Sequence, residues 1–145
     1  MEFILFGAEE KGLIGSQHYV DNLTGKTIKG MINIDMIGNR GSSDCAIFYY
    51  RPFTGGNVLS DAIKQAVSTY SLAINMSSLD NSNTIYWSQS DHASFDNKGL
   101  PAVTGNECTF SPVYHSVNDK TDKISYSQIT NTAKAIVGAL GVLAF

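Results

Sequence analysis

Three short stretches hold the groups whose types and spacing could do chemistry: the adjacent carboxylates Glu9 and Glu10, the acid Asp35, and His115 within Tyr114-His115-Ser116-Val117-Asn118-Asp119. Two neighbouring carboxylates can divide labour, one binding a cation while the other takes a proton from water. The same pair also suits the first turn of a helix, where acids complement the macrodipole. Asp35 interrupts a run, Met31-Ile32-Asn33-Ile34 and Met36-Ile37, that is otherwise apolar except for Asn33. A buried carboxylate is costly unless a cation or several donors compensate it, so Asp35 points to a ligand or an ion pair. Gly38-Asn39 follow closely, and a turn cap is the alternative. A loop histidine is commonly a surface residue. Here Asp119 is near enough in sequence to orient an imidazole, as zinc-binding histidines are oriented. Carboxylates and an imidazole form a donor set that zinc accepts, and a catalytic site leaves one position for water.

Other chemistries are excluded by geometry or by missing motifs. Ser90-Asp91-His92 contains the residue types of a hydrolase triad, but consecutive side chains diverge and there is no G-x-S-x-G elbow. Neither a phosphate-binding loop nor a dinucleotide fingerprint is present. His18 falls in a polar, helical stretch and reads as a surface residue.

The elements that must position these groups alternate in type. Residues 3–7, Phe-Ile-Leu-Phe-Gly, predict a buried strand, and 9–23 a helix with Leu13, Ile14 and Val20 inward and small Gly12, Gly15 and Ser16 at a close contact. Residues 29–37 and 46–51 predict two further strands. Residues 56–71 place Val58, Leu59, Ala62, Ile63, Ala66, Val67 and Tyr70 at helical spacing. A helix from Asp91 to about Gly99 and a strand over 101–104 follow. Residues 125–145 then put Ile129, Ala133, Ile136, Val137, Leu140 and Leu143 on one helical face. Such alternation predicts an α/β fold with a mostly parallel sheet covered on both faces, and chemistry beyond the strands' C-terminal ends.

Composition narrows the function. The 145 residues are 43% hydrophobic and 16% charged, enough apolar material for one domain spanning 1–145. A net charge of −3 without a basic run argues against nucleic acid and anionic membranes as partners. No apolar stretch is long enough to span a bilayer. Cys45 and Cys108 match no zinc spacing and could form a disulfide. An apolar strand at the very first residues is odd for a natural terminus, so the chain is expected to be cut from something larger.

Taken in order, Phe6-Gly7-Ala8-Glu9-Glu10-Lys11-Gly12-Leu13-Ile14-Gly15-Ser16, Asn33-Ile34-Asp35-Met36-Ile37-Gly38, Ser90-Asp91-His92-Ala93-Ser94-Phe95 with Gly99-Leu100-Pro101-Ala102, and Tyr114 to Asp122 closely resemble metallopeptidase family 28, the dizinc aminopeptidases of bacterial leucyl aminopeptidase type. The similarity runs from about residue 3 to the final helix. The resemblance implies a three-layer αβα, zinc-peptidase-like fold whose upstream strands are absent here. It implies Glu9 as general base, Glu10 and His115 as ligands of one zinc and Asp35 of a second. Asp91, His92 and Asp119 would support the site, Asp119 by holding the His115 ring. Two zinc ions per complete site would share a water that attacks the first peptide bond of a substrate with a free N-terminus. The family takes further ligands from upstream, so the isolated chain is expected to be inactive and to hold zinc poorly. The alternatives are a catalytically dead scaffold or binding module of this fold, or a single-zinc glutaminyl cyclase relative. An uncovered sheet edge could pair with another copy, and the resemblance favours a secreted or periplasmic location.

Overall fold

Side chains alternate across a strand, so consecutive residues of a buried strand must feed two different cores. The computed structural model, which describes residues 1–81 and 85–143, is organised in this way. Among the described residues four strands form one sheet: β1 (Met31–Ile34), β2 (Cys45–Tyr50), β3 (Asn75–Asp80) and β4 (Ala102–Glu107), in the order β1-β4-β2-β3. β1 runs parallel to β4 and β2 to β3, while β2 and β4 are antiparallel. The sheet is therefore mixed but mostly parallel.

Helices cover both faces. On one side α2 (Gly56–Thr69) and α4 (Tyr126–Leu143) pack over Ala46, Phe48 and Val103, with Ile32 at the margin. On the other, α1 (Ile14–Asp21) and α3 (His92–Asp96) pack over Ala102, with Met31, Phe6 and Tyr19 around it. Ala102 and Val103 are adjacent and both fully buried, one in each core. Full burial of a side chain such as Ile63 or Phe48 contributes about 1.5–3 kcal/mol. The three-layer α/β expectation matches this arrangement. Gly105 fits where it does because a Cβ there would run into the Phe48 ring.

Several local expectations are corrected. Residues 3–7 do not form a buried strand: they join no ladder, and Phe3 and Leu5 are 83% and 101% exposed. An apolar run becomes a strand only where another strand supplies hydrogen bonds, and here only Phe6 reaches a core. The helix expected over 9–23 splits into a 3-10 turn at Glu9–Lys11 and α1, because Gly12 and Leu13 are both left-handed. Ile14 consequently faces outward at 55% exposure, while Val20 is buried. The close contact is real: a Cβ on Gly15 would strike the Gly7 backbone, and Ser16 Oγ meets Ser94 Oγ at 2.8 Å between α1 and α3.

On α2, Val58 and Tyr70 turn out to solvent. On α4 the buried stripe is Gln128, Thr132, Ala135, Ile136 and Ala139, so Ala133 and Val137 are exposed. Gln128 explains the rotation: its amide donates to Asn39 O and accepts from Cys45 N, anchoring the helix through a polar group. Strand β3 was not foreseen, since Asn-Met-Ser-Ser-Leu-Asp offers no apolar alternation. It is a half-exposed edge strand. Cys45 and Cys108 are joined in a disulfide linking the start of β2 to the residue after β4, with Cα atoms 5.5 Å apart.

Candidate metal and catalytic site

The candidate residues sit where the backbone is forced into unusual conformations. Five non-glycine residues among those described have positive φ, and three of them flank or belong to the candidate positions: Ala8 (59°), Met36 (56°) and His115 (53°). Such conformations cost on the order of 1–3 kcal/mol each and cluster at functional sites. Ala8 and Gly12 bracket the 3-10 turn that presents Glu9 and Glu10. Met36 follows Asp35 at the end of β1.

These segments converge. His115 Nε2 lies 2.7 Å from Glu10 Oε1, and both side chains are more than half exposed. Burial raises the Glu9 carboxyl above its ordinary value, and the negative charges of Asp35, Glu10 and Asp91 raise it further, with His115 opposing. Glu9 therefore shares its surroundings with four other candidate residues. Tyr114 responds to the same field: burial raises its hydroxyl, and Glu10, Asp35 and Glu9 add to the effect. Its ring stacks on His115 at 3.7 Å between centroids, with Phe110 edge-on at 4.6 Å.

Asp35, at the C-terminal end of β1, accepts a hydrogen bond from Ser90 Oγ at 2.8 Å. Ser90 Oγ in turn accepts from Asn33 Nδ2, which also reaches Thr104 Oγ1. Ser90 was missed as a site residue, although it adjoins Asp91. The available signal was Asn33, two positions before Asp35 and so on the same face of the strand.

The supporting residues divide. Asp91, buried at the head of α3, lies close enough to act on Glu9. His92 is 2% exposed and packs edge-on against Trp87 at 4.3 Å. Burial lowers its pKa to about 4, so the ring is neutral. Its charged surroundings are Asp96 and Arg51. Asp96 there accepts from Arg51 Nη1, Trp87 Nε1 and Thr54 Oγ1. Asp119 lines a hollow of about 200 Å³ with Glu107, Met36 and Tyr114 and acts on Glu107. Among the described residues, the hydrogen bond made by the His115 ring goes to Glu10, not to Asp119.

Glu10 and His115 offer the oxygen and nitrogen donors that zinc accepts, at a separation two ligands of one ion could share. Among the described residues no three His, Cys, Asp or Glu side chains are gathered closely enough to hold a metal ion. The chain thus brings together part of a donor set. No helix among the described residues is long and apolar enough to cross a membrane.

Comparison with known proteins identifies the family and the fold. The family model described as Peptidase family M28 matches residues 1–140. The probable leucine aminopeptidase 1 of Trichophyton verrucosum is 31% identical, over 99% of this chain and 40% of its own length. Among solved structures, the aminopeptidase from Aneurinibacillus sp. strain AM-1 superposes with a TM-score of 0.71 at 33% identity, covering 96% of this chain and 32% of the other. The zinc aminopeptidase BSAP of Bacillus subtilis gives 0.70 at 26% identity, over 96% and 34%. The glutaminyl cyclase of Porphyromonas gingivalis shares the fold, with a TM-score of 0.63 at 19% identity. The chain spans 32% to 40% of the length of these aminopeptidases.

Proposed function

Because the chain belongs to peptidase family M28, we propose that it supplies the general base and one group of zinc ligands of an aminopeptidase active site. The observation that carries this reading is the 2.7 Å contact between Glu10 and His115, 105 positions apart, beside a Glu9 carboxyl raised by its neighbours.

Glu10 and His115 would hold one zinc and Asp35 a second. Zinc bound there would supply a Lewis acid that polarises the scissile carbonyl and acidifies water. Glu9 accepts the proton of the attacking water on its carboxylate and returns it to the leaving amine. A raised pKa makes the carboxylate a better acceptor of the water's proton, while its conjugate acid stays acidic enough to protonate the far more basic leaving amine. The negative field of Glu9, Glu10, Asp35 and Asp91 favours a substrate carrying a free, protonated N-terminus, as an exopeptidase requires. Ser90 and Asn33 hold the Asp35 carboxylate in one orientation, and the Tyr114 ring holds the imidazole of His115 against rotation.

A second reading is favoured by the lack of a three-donor group among the described residues. By themselves the 145 residues would bind zinc weakly and act as a scaffold. Elemental analysis and release of p-nitroaniline from leucine p-nitroanilide separate the readings. The chain alone should show substoichiometric zinc and no chelator-sensitive hydrolysis. Installed in place of the matching segment of the Aneurinibacillus aminopeptidase, it should support hydrolysis that Glu9→Gln slows about 10²–10⁴-fold. Hydrolysis undiminished in Glu9→Gln, or cyclisation of glutaminyl peptides without cleavage, would end the aminopeptidase reading.

A further inference from the structure

A carboxylate that is buried without a cation needs some other source of stabilisation, and what supplies it shows what the group ties together. Glu107, the last residue of β4, is 9% exposed. Lys123 lines the same hollow but holds Asp122 at 2.7 Å. The donors to Glu107 come from the backbone. Its Oε2 accepts the Asn39 N–H at 2.6 Å, and the backbone N–H groups of Gly38 and Ser111 also bond to the carboxylate. These donors lower its pKa while burial, the larger effect, raises it.

The donors belong to two different loops. Gly38 and Asn39 follow Asp35 by a few residues, and Ser111 belongs to the loop that carries Tyr114 and His115. Further bonds run across the same seam. Glu107 N donates to Met36 O at 2.7 Å, and Asn39 Nδ2 donates to Thr109 O at 2.7 Å. Met36 and Tyr114, one from each loop, line the same hollow as this carboxylate.

We infer that Glu107 is a positioning residue: its carboxylate clamps the loop after Asp35 to the loop bearing His115 and fixes how far Asp35 stands from the Glu10–His115 pair. This rests on the reading of Asp35, Glu10 and His115 as zinc donors. Groups that orient metal ligands from behind typically change metal affinity 10–100-fold when removed.

The test compares the wild-type chain with Glu107→Ala, Glu107→Gln and Glu10→Gln, using Zn²⁺ competition with a chromophoric chelator and amide hydrogen exchange of the metal-free protein. Glu107→Ala should weaken zinc about tenfold. It should also speed exchange at Asn39 and Tyr114 about tenfold while Ile63, in the core of α2, stays unchanged. Glu107→Gln keeps one acceptor oxygen for Asn39 and should recover part of both effects. Exchange at Asn39 and Tyr114 unchanged in Glu107→Ala would overturn the clamp. So would zinc affinity that falls in Glu10→Gln but holds in Glu107→Ala, leaving the donor reading intact. A wild-type chain that takes up no zinc overturns the donor reading instead. The exchange rates then decide by themselves whether Glu107 ties the loops.

Discussion

His115 Nε2 and Glu10 Oε1 stand 2.7 Å apart across 105 positions of sequence, on the open face of the molecule. A contact this exposed contributes little to stability, because water competes for both groups and two side chains must be ordered to form it. Nothing in folding therefore requires the contact, whereas a cation shared by the two side chains would. Glu10→Gln and His115→Ala should each leave the unfolding free energy within about 0.5 kcal/mol of wild type. Each should lower Zn²⁺ affinity at least tenfold in a chelator competition. A large loss of stability with unchanged zinc binding would assign the pair to the fold.

Glu9 makes the opposite trade. Its carboxyl is raised above 4.5 by burial first, then by Asp35, Glu10 and Asp91. The folded state therefore holds the Glu9 proton more tightly than the unfolded chain, and stability falls as pH rises through the interval above 4.5. Below that pH the penalty is absent. Glu9→Gln should be more stable than wild type at pH 7, the gap closing as the pH falls below 4.5 in urea titrations. Within an active chimera the same substitution should reduce kcat about 10²–10⁴-fold. A stability gap between Glu9→Gln and wild type that is the same at pH 7 and pH 4 would show that folding does not raise the Glu9 carboxyl.

How legible these features are in sequence depends on what each is made of. Asp35 stands out because a charge within an apolar strand needs a reason, and the alternation of Met31 and Ile32 into opposite cores follows from period two. The α2 stripe is readable from the 3.6-residue period of a helix. Strand β3 is not, because an edge strand of Asn, Ser and Asp takes its conformation from hydrogen bonds to β2 rather than from burial. Residues 3–7 mislead in reverse, since apolar character without a neighbouring strand gives no ladder. The roles of Ser90 and Glu107 are set by contacts 55 and 68 positions away, which no local pattern records.

His92 carries a clean pH signature of burial. Desolvation lowers its pKa from 6.5 to about 4. Between those values the unfolded chain binds a proton that the folded chain does not, so stability is lost as pH falls from 6.5 toward 4. At 1.36 kcal/mol per unit the total is roughly 3 kcal/mol. Replacement by a residue of similar volume that cannot titrate, His92→Phe, should flatten the slope of stability against pH over that interval, whatever it does to stability at pH 8. Parallel slopes for the two proteins would mean that the ring is reached by water.

The Cys45–Cys108 bridge spans 63 positions and joins β2 to the root of the loop that carries His115. Closing a loop of that size removes unfolded-chain entropy worth about 4 kcal/mol at 25 °C. Reduction, or Cys45→Ser with Cys108→Ser, should therefore lower the unfolding free energy by about 4 kcal/mol, less whatever the unfolded chain retains of its structure. The local effect is separable from the global one. Cys108 is followed directly by Thr109, whose carbonyl accepts from Asn39, and preceded by Glu107. Freed of the bridge, this root keeps its bonds to Asn39 and Met36, so zinc affinity should fall by less than it does in Glu107→Ala. Titration with Zn²⁺ of the folded Cys45→Ser, Cys108→Ser protein, which has no thiolate to bind the metal, measures this. A loss of affinity larger than that of Glu107→Ala would make the disulfide, rather than the carboxylate, the element that holds the His115 loop in register with Asp35.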